Sequence, residues 1–254
     1  MQALETLPTI EVPAQMASAP VDDPCQLVFA RYEIKYLVSD RQRARIEAVM
    51  SEHMTPDEWG PSTTRSIYYD TPSLLLARRS AEHPLYKEKI RMRSYHAAGP
   101  SDDVFCELKK KCHGVTYKRR FQSSYSYATR LLAGLVEPSG QIERELAFTR
   151  ERYEGLQPAV FLAYDREAFY AFDDHEFRIT FDRNIRWRRS ELSLGAGTEG
   201  RALLERGTSC MEIKCAGAIP LWLVRVLSDE GLRKSHFSKY GAACAAALAL
   251  GRAA

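Results

Sequence analysis

The stretch Lys89-Ile90-Arg91-Met92-Arg93 lies inside a longer alternating segment that runs from residue 86 to residue 95. Successive side chains of a β-strand point to opposite faces, so the three bases share one face and the two apolar residues share the other. This alternation predicts a half-buried strand. For one strand taken alone, a solvent-exposed polar face is the better explanation of the pattern.

Six further segments repeat the pattern, with bases and a few acids on one side and apolar residues on the other. Arg119 is the exception, since it falls on the apolar side of its segment. Together with Lys239, the shared side carries twelve bases and four acids, which we call the basic face. Its bases are Arg31, Lys35, Lys89, Arg91, Arg93, Lys109, Lys118, Arg120, Arg166, Arg178, Lys214 and Lys239, and its acids are Glu33, Glu107, Asp182 and Glu212.

The excess of positive charge indicates that the basic face lines the inside of a barrel and is not a surface exposed to solvent. Like charges at this density repel one another unless a polyanion neutralises them. The apolar side of each strand needs a cover, which helices packed outside a barrel provide. Guanidinium groups match phosphate oxygens with two parallel hydrogen bonds, so the arginines favour phosphate as the anion. We therefore predict an α+β fold in which an antiparallel β-barrel forms a tunnel with helices packed around it.

The order of elements along the chain follows from the same periodicities. Strands are predicted at 31–38, 64–69, 86–95, 104–110, 115–121, 159–170, 177–182 and 209–214. Helices are predicted at 41–53, 74–80, 126–135, 142–154, 221–230 and 242–250. The first five strands are expected to form an antiparallel meander, and the two central helices an insert between two strand-rich halves.

Length and composition restrict the class of protein. The chain has 254 residues, 45% of them apolar, and a formal net charge of +3, which fits one soluble domain. Residues 1–24 contain four prolines and are expected to be a disordered tail, with a folded domain over 25–254. No segment approaches the ~20 apolar residues that span a bilayer. The six cysteines contain no CxxC pair, which indicates free thiols and a cytoplasmic location.

Several other functional classes lack their motifs. The sequence has no GxxxxGK[ST] phosphate loop and no GxSxG nucleophile turn. Its six histidines include no i, i+4 pair, which argues against a histidine metal site. Tyrosines interleave with bases, as in single-strand binders, but those bases are predicted to face inward, so no nucleic-acid partner is expected.

Eight short motifs occur in order between about residues 27 and 245, and their order is more specific than any one of them. They are Arg31-x-Glu33-x-Lys35-Tyr36, Lys89-x-Arg91-x-Arg93, Glu107-Leu108-Lys109, Lys118-Arg119-Arg120, Tyr164-x-Arg166, Arg178-Ile179-Thr180-Phe181-Asp182, Glu212-Ile213-Lys214 and Ser238-Lys239-Tyr240. The series resembles the VTC domain. This is the polyphosphate polymerase domain of the vacuolar transporter chaperone complex, within the triphosphate tunnel metalloenzyme (CYTH-like) superfamily.

The resemblance implies a tunnel that binds ATP, triphosphate or polyphosphate and moves the γ-phosphate of ATP onto a polyphosphate chain. It implies a catalytic set, a substrate-binding set and a divalent metal, Mn²⁺ or Mg²⁺. The catalytic set is Lys35, Arg91, Arg93, Lys109, Arg166 and Arg178. The substrate-binding set is Lys118, Arg120, Lys214, Lys239, Arg31, Lys89 and His236. The implied metal ligands are Glu212, Glu107 and Glu33, whereas Asp182 is expected to orient a neighbouring base.

Two positions depart from the family pattern. Arg31 replaces the first Glu of the superfamily's Glu-x-Glu-x-Lys motif, which weakens the case for a two-metal hydrolase. His236 stands where the polymerases carry a lysine, which predicts weaker or pH-dependent binding of one phosphate. Membrane helices and an SPX-type sensor domain are absent from the sequence, so a membrane-protein partner is compatible with the resemblance. A triphosphatase and a non-catalytic polyphosphate-binding module remain alternatives, and the sequence leaves the oligomeric state open.

Overall fold

The structure, a computed structural model, describes residues 32–82, 84–113 and 115–252. Within these ranges the strands are β1 (Tyr32–Ser39), β2 (Met54–Pro56), β3 (Ser62–Asp70), β4 (Tyr86–Ser94), β5 (Asp103–Cys112), β6 (Val115–Ser124), β7 (Gln157–Ala171), β8 (Arg178–Arg188), β9 (Arg201–Ala202) and β10 (Thr208–Cys215). The helices are α1 (Asp40–Met50), α2 (Leu75–Ala81), α3 (Tyr125–Ala133), α4 (Gln141–Arg152), α5 (Leu221–Asp229) and α6 (Lys239–Arg252). Arg31 and the predicted tail lie outside the described residues.

All ten strands belong to one antiparallel sheet in the order β1-β10-β8-β7-β3-β4-β5-β6, with β2 on β7 and β9 on β8. The predicted five-strand meander is wrong at its start. Strands β3 to β6 follow one another, but β1 pairs with β10 instead of β3. The short strands β2 and β9 were not predicted, and the helix expected over 41–53 ends at Met50.

Strong curling brings the two ends of the sheet together and confirms the tunnel fold. Among the described residues no backbone ladder joins β1 to β6, so hydrogen bonds do not close the barrel completely. Side chains bridge the gap instead, since Lys109 of β5 lies 3.1 Å from Glu33 of β1. The α+β class and the helices around the sheet are as predicted.

The outer face of the sheet is apolar and is covered by two pairs of helices. Ile46 and Met50 of α1 and Leu223 of α5 pack on the β1-β10-β8 side. Helices α3 and α4 cover the β3-β4-β5 side through Ala128, Leu132 and Leu146. Each fully buried Leu, Ile or Met contributes roughly 1.5–3 kcal/mol relative to exposure. Arg119 points to this outer face, as the strand alternation requires, but it is charged. Its guanidinium lies 3.4 Å from Glu145 of α4.

The last helix, α6, lies on the inner face, the same side as the bases. Tyr240 stacks on Tyr68 with ring centroids 4.4 Å apart, and Tyr68 is paired across the sheet with Arg91. Ala243, Cys244 and Ala247 extend this contact, and their small side chains let the helix fit within the curled sheet. Val160, Leu162 and Trp187 complete the cluster. One end of the interior is therefore filled by α6.

The described residues contain no helix long and apolar enough to cross a membrane. The five cysteines within the described ranges, Cys106, Cys112, Cys210, Cys215 and Cys244, are free thiols.

Candidate functional site

Cross-strand register places the basic face inside the curled sheet. Lys35 pairs with Glu212, Lys214 with Arg178 and Arg166 with Asp182. On the other side of β7, Arg91 pairs with Glu107 and Lys89 with Lys109. Residues paired in this way point to one side of a sheet, so the strand alternation along the chain becomes one continuous inner surface. The inner surface carries all the predicted strand bases except Arg31, which is not described.

Glu212 of β10 lies between two bases on one wall. Its carboxylate is 3.4 Å from the Nζ of Lys35 and 3.2 Å from the Nζ of Lys214. Burial opposes ionisation, but Lys214 and Lys35 outweigh it and hold the pKa of Glu212 well below its usual range. The group is therefore a carboxylate at neutral pH.

Asp182 of β8 connects two further bases. It is completely buried, and it accepts hydrogen bonds at 2.6 and 2.8 Å from the Nε and Nη2 of Arg166. It also contacts the Nζ of Lys239, the first residue of α6. Despite burial, these cations lower the pKa of Asp182 to about 2. The residue thus holds Arg166 and Lys239 in place, which is the orienting role expected for it.

Glu107 of β5 organises the opposite wall. Its buried carboxylate contacts Arg91 and lies 2.7 Å from the Nζ of Lys118. Burial would raise its pKa, but Arg91 and its neighbouring cations hold that pKa well below the usual range. Arg91 also donates to the hydroxyl of Tyr68 at 3.2 Å, which fixes the orientation of its guanidinium group.

Three bases of the basic face have no carboxylate within ion-pair distance among the described residues. Lys89 donates to Ser238 Oγ at 3.2 Å, Arg93 donates to Tyr164 Oη at 3.3 Å, and Arg120 lies over the ring of Phe105 at 3.6 Å. Burial, followed by Lys35 and other nearby cations, lowers the pKa of Lys89 to about 8. The eleven described bases of the basic face outnumber its four acids and Asp57, which pairs with Arg178, by six. An interior with this excess attracts a compact polyanion.

The end of the interior away from α6 is bordered by Arg178. Its Nη2 donates to Asp57 at 2.8 Å, and its guanidinium lies 4.5 Å from the ring of Tyr170. Asp57 also accepts from the hydroxyl of Tyr170 at 3.2 Å. Sequence reasoning missed Asp57, because a single acid in a turn gives no periodic signal.

Two predicted residues remain. Arg31 precedes the described residues. His236 is exposed on the segment before α6, next to Ser235, whose amide donates to the carbonyl of Lys35 at 2.7 Å. The roles assigned to the individual bases stay predictions.

The predicted metal ligands are not gathered into one group. Within the described ranges, no three His, Cys, Asp or Glu side chains are arranged to hold a metal ion. Glu33 and Glu212 lie on neighbouring strands, and the negative charge of Glu212 opposes ionisation of Glu33. Glu107 instead contacts Arg91 and Lys118. Mg²⁺ is commonly held by one or two carboxylates together with substrate phosphates. Glu212, with Glu33 beside it, fits that kind of site.

Known proteins share the overall fold. The fold is shared with a proposed adenylate cyclase of Bacillus halodurans, at 15% identity and a TM-score of 0.50, over 83% of this chain and 96% of that chain. A proposed adenylate cyclase of Vibrio parahaemolyticus has 13% identity and a TM-score of 0.44, over 85% of this chain and 98% of that one. A proposed adenylyl cyclase from Hippeastrum, described as having a dominant triphosphatase activity, has 13% identity and a TM-score of 0.47, with coverage of 85% and 96%.

No curated protein sequence matches the chain. The model of the VTC domain family matches residues 30–248, which include every described strand and almost all of α6. The chain therefore belongs to the VTC domain family.

Proposed function

We propose that the chain is a metal-dependent polyphosphate polymerase that transfers the γ-phosphate of ATP to the end of a polyphosphate chain. The excess of six bases over acids inside the curled sheet is the observation that supports it most directly. A triphosphate carries several negatively charged oxygens along a short line. The wall that contains Glu212 and the wall that contains Glu107 both present cations to such a ligand. Family membership adds the expectation of a phosphate chain as the acceptor.

Phosphoryl transfer depends mainly on positioning and on neutralising charge. Arg166 and Lys239, held by Asp182, and Arg91, held by Glu107, would bind the non-bridging oxygens of the triphosphate. The γ-phosphorus then exchanges its bond to the ADP oxygen for a bond to the terminal oxygen of the acceptor chain. A divalent metal held by Glu212, with Glu33 beside it, would neutralise phosphate charge. Glu107 remains a proposed ligand whose present partners are Arg91 and Lys118.

A triphosphatase is the second candidate, and the position of α6 favours it. The helix fills one end of the interior through Tyr240, Ala243 and Ala247. A growing polyphosphate chain must leave past this helix or through the same end as ATP. Water as the acceptor has no such requirement, so hydrolysis fits the filled interior without any movement of α6.

Incubation of the pure protein with ATP and Mn²⁺ or Mg²⁺ separates these candidates. The proposal predicts long polyphosphate and ADP, resolved by gel electrophoresis and nucleotide chromatography. Orthophosphate release without polymer would replace it with the triphosphatase. Binding of inorganic tripolyphosphate without turnover would leave a polyphosphate-binding module. Omission of the metal is the matched control, and polymer formation in a chelator would contradict the metal requirement.

A further inference from the structure

Trp59 is an exposed aromatic residue on the loop between β2 and β3. Its side chain is 79% exposed, whereas Trp187 is 4% exposed and Trp222 is stacked on His53. An exposed indole offers a π face on which a nucleobase can stack.

The loop that carries Trp59 is held rigidly. Asp57 is buried, and its carboxylate accepts from the Trp59 amide at 3.2 Å as well as from Arg178 and Tyr170. The Asp57 amide donates to the Ala168 carbonyl at 2.8 Å. Gly60 closes the turn with φ of +58°, a conformation that other residues adopt only with strain. The exposure of Trp59 therefore does not come from a loose loop.

The loop lies beyond the first residue of α6, towards the end of the interior that Arg178 borders. Asp57 bonds to Ala168 of β7, and the next strand resumes where Ser62 pairs with Arg166, so Trp59 lies beside this part of β7. The body of α6 shares a buried cluster with Val160 and Leu162 of β7, and its first residue, Lys239, lies over the ring of Tyr164. Arg178, which shares Asp57 with the loop, is a member of the basic face. Trp59 is thus placed where a triphosphate bound among the bases would project its non-phosphate end.

We propose that Trp59 forms a stacking surface for the nucleobase of a nucleoside triphosphate whose phosphates lie among the bases of the basic face. The inference rests on the proposed function, because it requires a triphosphate in that interior. Stacking on an aromatic side chain stabilises any base through its π face. Arg178, positioned by Asp57 and Tyr170, would bind the phosphate nearest to the nucleoside. Trp59 would then make the site prefer ATP over inorganic tripolyphosphate, which has no base.

Parallel titrations with ATP and with inorganic tripolyphosphate test this assignment. We expect Trp59→Ala to weaken ATP binding by about ten-fold and to leave tripolyphosphate binding unchanged. Trp59→Phe should retain most of the ATP affinity, since a ring remains. Phe148→Ala removes another exposed aromatic, 64% exposed on the outer helix α4, and should change neither affinity. Quenching of tryptophan fluorescence by ATP should be lost in Trp59→Phe.

Each remaining outcome rejects the stacking site in a distinguishable way. Equal ATP affinity in Trp59→Ala and the unsubstituted protein would overturn it and would point to a protein or lipid contact at Trp59. Equal weakening of ATP and tripolyphosphate would mean that the substitution disturbs Arg178 through Asp57. Absence of tripolyphosphate binding to the unsubstituted protein would reject the proposed function itself, whereas tripolyphosphate binding without a preference for ATP would reject only the base site.

Discussion

Asp182 and Arg166 form a two-pronged ion pair inside the curled sheet, with hydrogen bonds of 2.6 and 2.8 Å to a carboxylate that has no exposed surface. The pair joins β8 to β7 at the level where α6 begins, since Lys239 contacts the same carboxylate. One acid therefore fixes two bases that come from different elements. Removal of the acid leaves two buried cations without their partner.

Asp182→Asn should destabilise the fold at neutral pH by about 3 kcal/mol, because breaking a buried ion pair leaves charge uncompensated. Urea unfolding measures this, with the exposed Glu154→Gln as control. The pH dependence has a definite sign. The folded pKa of Asp182 is lowered to about 2, so its contribution is present above the unfolded value near 3.8 and is lost as pH falls towards 2. An unchanged unfolding midpoint in Asp182→Asn would contradict the role of the pair.

Glu212→Gln should abolish turnover while retaining part of the triphosphate binding. The substitution preserves size but removes the negative charge that would hold a divalent metal, and it leaves Lys35 and Lys214 free to bind phosphate. Turnover of ATP and binding of tripolyphosphate, measured on the same sample, check this. Glu145→Gln, on the outer helix α4, is the control for loss of a partly buried carboxylate. Full activity of Glu212→Gln would reject the metal assignment.

Arg91→Glu should eliminate measurable triphosphate binding, because it places an acid beside Glu107 in the interior. Arg119→Glu on β6 reverses a charge on the outer face, where Arg119 contacts Glu145, and should leave affinity unchanged. Titration calorimetry with inorganic tripolyphosphate compares the two, after circular dichroism has shown that both variants fold. Equal affinities would mean that the basic face does not bind the ligand.

The sequence predicted the strands well because their signal is local. The alternation over Lys89, Arg91 and Arg93 depends only on a period of two, and the paired strands preserve it. The start of α1 was likewise encoded in a short motif, since Ser39 and Gln42 form the capping box. Local patterns thus placed the bases on a common face before their partners were known.

The sequence did not predict the long-range relationships. Strand β1 pairs with β10, whose paired residues lie 169 to 183 positions later, and periodicity gives no information about the partner of a strand. The final helix was predicted, but its location inside the sheet was not, because an Ala-rich face fits several surroundings. Asp57 was missed for a similar reason, since its importance comes from Arg178, which is 121 residues away.

Lys89 should make triphosphate binding depend on pH in the alkaline range. Its pKa is lowered to about 8 by burial and then by Lys35, Lys87 and Lys109, whereas a bound polyanion favours its charged form. Above this pH, binding requires uptake of a proton, so affinity for tripolyphosphate should fall by up to about ten-fold per pH unit. Lys89→Arg keeps a charge that is not lost in this range and should flatten the profile. Because both proteins titrate the same ligand, its own ionisation cancels in the comparison, and parallel profiles would show that Lys89 does not contact the phosphates.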